Sequence, residues 1–198
     1  VRYNMHMTRN SKEIIEQTAF DIFSKGGYEA LSMRELAKQS DVTLSSIYHY
    51  FSDKDVLLKA LFDKTNTELG QKRALLPHRR NAHAMLKDRI SFQFENIASV
   101  VFVLKYYLHF RPEFLRLDSG YVPAKAYLHI DEVISKGLET GEYSSEDPVT
   151  DAKIMAHAIN GFLLEYYPDP PTGRELTKLV AEITDFLQRA MSVKGGGM

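Results

Sequence analysis

Ser32-Met33-Arg34-Glu35-Leu36-Ala37-Lys38-Gln39-Ser40-Asp41-Val42-Thr43-Leu44-Ser45-Ser46-Ile47-Tyr48-His49-Tyr50-Phe51 decides how the chain is read. Its first four residues form a capping box, in which Ser32 and Glu35 satisfy helix N–H groups reciprocally. Leu36 and Ala37 supply the apolar side of a short helix that stops near Ser40. Asp41-Val42 is a tight turn, and a second short helix runs from about Leu44 to Tyr50. Ile47 and Phe51 lie four apart, share a face and point inward. Thr43, Ser45, Ser46, Tyr48, His49 and Tyr50 are left for the other faces. Helix, short turn and helix at this spacing make a helix-turn-helix, whose second helix enters the DNA major groove. Hydroxyls and tyrosine tips donate to phosphates, and small side chains let the helix approach closely. The same spacing also fits a small helical bundle with an ordinary polar surface.

The pattern stays helical on both sides. Upstream, Asn10 is expected to cap a helix carrying Ile15, Ala19, Ile22 and Phe23, which Gly26-Gly27 ends. Downstream, Ser52-Asp53-Lys54-Asp55 opens a longer helix to about Lys72, bearing Leu57, Leu58, Leu61, Phe62, Thr65 and Leu69. Lys54 sits in its first turn, where helix N–H groups also favour a phosphate. Residues 77–81 read as a loop. Further helices are expected at about 82–100, 104–110, 121–140, 148–167 and 173–192, punctuated by prolines that include Pro112 and Pro148. No convincing strand appears.

Charge divides along the chain. Residues 1–80 hold 13 Lys+Arg and 10 Asp+Glu, whereas residues 81–198 hold 12 and 16. A basic first part joined to an acidic remainder points to nucleic acid in the first part alone. No apolar run approaches the length of a membrane span, so no membrane partner is expected. There is no cysteine, which excludes disulfides and thiol chemistry and fits a reducing compartment such as the cytoplasm. The N-terminus shows no secretory h-region, and residues 1–7 are set aside as a possible cloning scar.

Residues 11–62 resemble the DNA-binding domain of the TetR family of bacterial transcriptional regulators. The resemblance rests on Ile15, Ala19, Phe23, Gly27-Tyr28, Ser32-Met33-Arg34-Glu35-Leu36-Ala37, Val42-Thr43, Ile47-Tyr48-His49-Tyr50-Phe51, Lys54 and Leu57-Leu58. It implies DNA contacts from Arg34, Thr43, Ser45, Ser46, Tyr48 and His49, and a phosphate contact from Lys54. Two positions depart from the family pattern. Leu44 stands where a basic or polar residue is common, and Asp41 where glycine is usual. A left-handed Asp41 would be strained by ~1 kcal/mol relative to glycine. The fold class expected is all-α: a helix-turn-helix domain at 8–52, a connecting helix at 53–72, and a ligand-binding and dimerisation domain at 81–193.

Residues 92–127 carry nine of the 22 aromatics, about twice their share. Most are expected in a core, but Phe92, Tyr106, His109, Phe110, Tyr127, Phe162 and Tyr166 are candidates to line a pocket for a small hydrophobic or aromatic effector. His129 and His157 could add polar tips. Neither joins Asp131 and Glu132 in a standard metal spacing, so no metal and no cofactor is expected. The last two helices carry Met155, Ile159, Phe162-Leu163, Leu179-Val180, Ile183 and Phe186-Leu187 at helical spacing, with Ala152, Ala156, Ala158 and Gly161 allowing close approach. The resemblance implies that they form a four-helix bundle with a twofold-related copy. The function expected is a homodimeric regulator, more a repressor than an activator, released from a palindromic operator by its ligand. The rival is an all-helical small-molecule carrier or enzyme using the C-terminal cavity. No nucleophile–base pair or phosphate loop supports catalysis.

Overall fold

The computed structural model describes residues 4–116 and 128–192. These form helices α1 (Asn4–Gly26), α2 (Met33–Ser40), α3 (Leu44–Tyr50), α4 (Lys54–Ala74), α5 (Ala82–Glu95), α6 (Ile97–Arg116), α7 (Leu128–Thr140), α8 (Pro148–Tyr166) and α9 (Gly173–Met191). Among the described residues the only β pairing is an isolated Tyr143–Ser192 bridge. The chain divides into two compact units: residues 1–71 with 98–111, and residues 72–97 with 112–198.

In the first unit α1 packs on α2 and α3, and α2 on α3. Ile15, Ala19, Phe23, Leu31, Leu36, Ile47, Leu57 and Leu58 are fully buried between these helices and α4. Gly27 closes α1 at φ +74°, its N–H donating to Phe23 O at 2.8 Å. A side chain is disfavoured in that left-handed conformation. The expected cap at Asn10 is not a boundary, because α1 begins at Asn4. Residues 4–9 contain neither Gly nor Pro, so nothing local stops the helix, and capping propensity alone does not start one.

The first part of α6 also belongs to this unit. Phe102 is fully buried, stacked on Phe20 with centroids 4.8 Å apart and tilted against Phe23 at 5.0 Å. Lys105 Nζ donates to Ser24 O at 2.5 Å and Lys25 O at 2.9 Å. These carbonyls end α1, where a cation is favoured by both hydrogen bonding and the helix dipole. The expected boundary near residues 100–104 is therefore displaced to Asn96, whose N–H bonds Phe92 O. Nor does Pro112 end the helix, which runs on to Arg116. Val100-Val101-Phe102-Val103, β-branched or aromatic throughout, is helical in α6, with Val101 and Phe102 fully buried.

In the second unit α5 packs on α7 and α9, and α7 on α8. Leu86, Ile90, Ile130, Ile134, Ile159 and Leu163 are essentially inaccessible. Glu142 closes the top of α5, accepting from the Ala82 and His83 N–H groups at 2.9 and 3.2 Å while Thr140 Oγ1 donates to it at 2.7 Å. Gly137 leaves room for the buried Tyr143 ring, which a Cβ would meet at 2.1 Å. Pro148 takes the first turn of α8 behind the Asp147 cap, where its missing N–H costs nothing.

Asp41 ends α2 at φ 53° and ψ 37°, the left-handed region. Asp41→Gly should raise the free energy of unfolding by about 0.5–1 kcal/mol, and Asp41→Val should lower it by about 1 kcal/mol or more. Urea titration followed by far-UV circular dichroism measures both. An unchanged midpoint for the glycine variant would mean that the turn carries no strain.

Candidate nucleic-acid interface

Two side-chain caps place α2 and α3. Ser32 Oγ accepts the Glu35 N–H at 3.1 Å, and Thr43 Oγ1 accepts the Ser46 N–H at 3.1 Å. Thr43 and Ser46 hydroxyls are also 2.8 Å apart, so these two residues shape the start of α3 as well as standing at it. Ile47 and Phe51 turn inward, at 0% and 5% exposure. Leu44 is half-buried, so it is partly withdrawn from the surface. What α3 presents outward is Ser45, Tyr48 and His49, with Tyr48 at 51% exposure. Their i, i+3 and i+4 spacing puts them on one face. His49 is T-stacked on Tyr50 at 5.1 Å, which orients its ring. Arg34 on α2 is exposed.

Lys54 has a more complex position than its sequence context suggests. Its Nζ donates to Tyr28 O at 3.3 Å and Leu31 O at 3.2 Å, and lies 3.5 Å from the centroid of the Tyr28 ring. It therefore braces the α1–α2 turn from the start of α4, with one ammonium proton left over. Tyr28 donates its hydroxyl to Asp55 Oδ1 at 2.7 Å. That bond, helped by burial and the nearby carboxylates, pushes the phenol up to about 12. Sequence reading missed the Tyr28–Asp55–Lys54 cluster because its members are 26 or 27 residues apart.

The candidate ligand-lining residues are divided. Tyr106, His109 and Phe110 lie in the first unit rather than in a C-terminal domain. Tyr106 stacks on Phe62 at 4.3 Å, His109 on Tyr28 at 3.7 Å, and Phe110 meets the Tyr28 ring edge-on at 5.8 Å. The physical reason is that α6 contributes its first part to the core under α1 and α4. Phe92, Phe162 and Tyr166 lie in the second unit, Phe92 buried and the other two half-buried, with Tyr166 against Phe94 at 6.2 Å. Tyr127 lies outside the described residues. His129 turns to Gln93 and Glu132 to Arg89, while His157 is exposed on α8.

Residues 15–61 match the family model described as bacterial regulatory proteins, tetR family. The chain is 47% identical over 47 residues to the HTH-type transcriptional repressor KstR of Mycolicibacterium smegmatis, covering 24% of this chain and 22% of that protein. It is 31% identical over 65 residues to the uncharacterized HTH-type transcriptional regulator YuxN of Bacillus subtilis, covering 31% and 22%. The matches thus span about a quarter of the length of these relatives. The fold extends further. The fatty acid degradation regulator FadR from Bacillus halodurans superposes with a TM-score of 0.68 at 21% identity, covering 90% of this chain and 94% of that one. The TetR-family regulator PfmR from Thermus thermophilus gives 0.65 at 21% identity, covering 89% and 97%. These relatives and neighbours are transcriptional regulators, not enzymes.

The geometry separates stability from DNA contact. Tyr48→Phe, at an exposed position, should leave unfolding within about 0.5 kcal/mol yet weaken DNA binding by roughly 1 kcal/mol. Lys54→Met should lower stability by about 1–2 kcal/mol through its two carbonyl partners. It should also flatten the slope of log affinity against log salt by about one. Denaturant titration and DNA titration at four salt concentrations read the two effects. An unaltered salt slope would leave Lys54 a brace and nothing more.

Proposed function

We propose that this chain, a TetR-family protein by its N-terminal domain, is a homodimeric transcriptional regulator, a repressor rather than an activator. It holds a palindromic operator and releases it when a small hydrophobic ligand binds the C-terminal unit. The observation that carries the reading is the outward face of α3, where Ser45, Tyr48 and His49 stand together on a short helix capped by Thr43 and anchored by Ile47. Nothing in a plain helical bundle calls for that combination. A helix so short, with small and hydroxyl-bearing residues outward, fits the major groove.

The exposed apolar residues of α8 and α9 support the dimer. Ile154, Leu164 and Phe186 are 60%, 42% and 60% exposed. Ile154, Gly161 and Leu164 recur along one side of α8, as do Leu179, Phe186 and Ala190 along α9. Large apolar side chains in water at this spacing are costly unless covered. A second copy presents the same surface and covers it isologously.

Ligand release requires two states that bind DNA differently and a ligand that prefers one of them. Two helices run through both units: α4, with residues 72–74 in the second, and α6, with residues 112–116 in the second. On this reading α4 and α6 are the elements that would carry a displacement from one unit to the other.

Fragments of random genomic DNA selected by the purified protein should share two inverted half-sites about 34–36 Å apart, or a further turn apart. Light scattering should give the mass of two chains at micromolar concentration, and Phe186→Glu should shift it towards one and weaken DNA binding with it. A monomeric wild type, or selected fragments without any inverted repeat, would overturn the reading.

A further inference from the structure

Arg73 occupies the last turn of α4 and is half-buried in the second unit. Its guanidinium carbon lies 6.0 Å from the centroid of the Phe92 ring. It has no hydrogen-bond or ion-pair partner among the described residues. Its guanidinium, a fixed fork of five N–H donors, thus faces no protein acceptor there. Burial, and then the like charge of Arg89, disfavour its ionised form, while Glu132 partly offsets them. Arg89 itself is paired, its Nη2 donating to Glu132 Oε2 at 2.5 Å. That carboxylate is 61% exposed, so two arginines share one largely solvated counter-charge.

A second group at the same place is also short of an acceptor. His129 Nδ1 is buried with no hydrogen-bond partner. The other ring nitrogen, Nε2, lies 3.3 Å from Gln93 Nε2. With the Gln93 amide donating, His129 Nε2 accepts and the proton sits on Nδ1. Burial and the two arginines hold the ring neutral, at about 3, so Nδ1 offers a single neutral N–H. Buried donors are almost always satisfied, and those that are not mark a missing partner.

We propose that Arg73, Arg89, Gln93 and His129 form an anion site of the second unit that takes the carboxylate of a small organic acid, whose apolar part lies on Phe92. A carboxylate matches the Arg73 fork bidentately and keeps a lone pair for the His129 N–H. Its single charge neutralises the excess of two arginines over one glutamate. Phosphate carries more charge than this cluster balances, and it offers nothing to the Phe92 ring. The inference deepens the regulator reading by naming the chemical class of the effector, and rests on that reading only for the consequence at DNA.

The test uses the full chain without DNA first. Octanoate and phenylacetate are titrated against it by calorimetry and thermal melting, beside octanol, 2-phenylethanol and inorganic phosphate. The acids should bind about 10- to 100-fold tighter than the matched alcohols, and phosphate should not compete. Arg73→Met should abolish that preference while leaving alcohol binding unchanged. Without ligand it should melt at or above wild type, because a half-buried cation without a protein acceptor is removed. His129→Leu provides a second variant with a smaller loss, and Arg73→Lys should recover part of the preference. Equal affinity for acids and alcohols overturns the proposal, as does phosphate binding in place of the acids, or binding of neither acid. Operator affinity of the unliganded protein is measured separately. Its absence would sink the regulator reading while leaving the carboxylate site standing.

Discussion

Tyr28 is the residue on which the DNA-binding unit turns. The Lys54 ammonium lies 3.5 Å from its ring centroid and the His109 imidazole 3.7 Å, nearly parallel. Two groups at those distances cannot share a face, so the ring is clasped from both sides. Its hydroxyl is tied to Asp55 and its carbonyl to Lys54. One side chain on the α1–α2 turn thereby joins the start of α4 to the far part of α6. Cation–π attraction, ring stacking and a charge-assisted hydrogen bond act on the same residue, so the contacts reinforce one another. The helix-turn-helix is held from behind by that clasp, and its own short helices need little more than Leu36, Ile47 and Phe51 to stay in place.

This arrangement explains why the aromatics of α6 divide as they do. From sequence, the richness of residues 92–127 in Phe and Tyr pointed to a core for most of them and to a pocket for some. In the fold, Phe102, Tyr106 and His109 each answer a partner on α1, α4 or the α1–α2 turn. Their spacing of three to four residues along α6 is the spacing of one helix face, and periodicity reports a buried face without saying against what. The same limit applied to the connecting helix expected at 53–72, which is one of two helices with residues in both units. The second, α6, was hidden because the expected helix break was placed four residues or more too late.

What was legible was local. The Ser32 half of the capping box, the glycine stop at Gly27 and the inward Ile47 and Phe51 all depend on residues within about four positions of one another. The left-handed Asp41 was reached through the resemblance alone, since it stands where glycine is usual in the family. Lys54 was legible as a cation in a first turn but not as a donor to Tyr28 and Leu31, 26 and 23 residues away. Arg73, just past the expected helix end at about Lys72, drew no reading, since a cation at a helix C-terminus is ordinary. Only tertiary burial distinguishes it from its neighbour Lys72, whose Nζ finds Asn96 Oδ1 at 3.0 Å on the surface.

The position of Arg73 gives its charge a particular leverage. It lies 19 residues after Lys54 on one uninterrupted helix, about 28 Å along the axis at 1.5 Å per residue. Its neighbour Gln71 is the last residue of the first unit. A ligand carboxylate at Arg73 would therefore act on the end of the rod whose other end braces the recognition unit. Binding there changes DNA affinity only if the two DNA-binding states differ in how well they present Arg73 and His129 to the anion. A half-buried cation without a protein acceptor is the kind of group that differs, since a state that exposes it further gains solvation. On the carboxylate proposal, the anion would favour the state that buries Arg73. A coupling of about 1–3 kcal/mol, enough for a 5- to 150-fold change in operator affinity, is within the range that one charged hydrogen-bonded pair supplies.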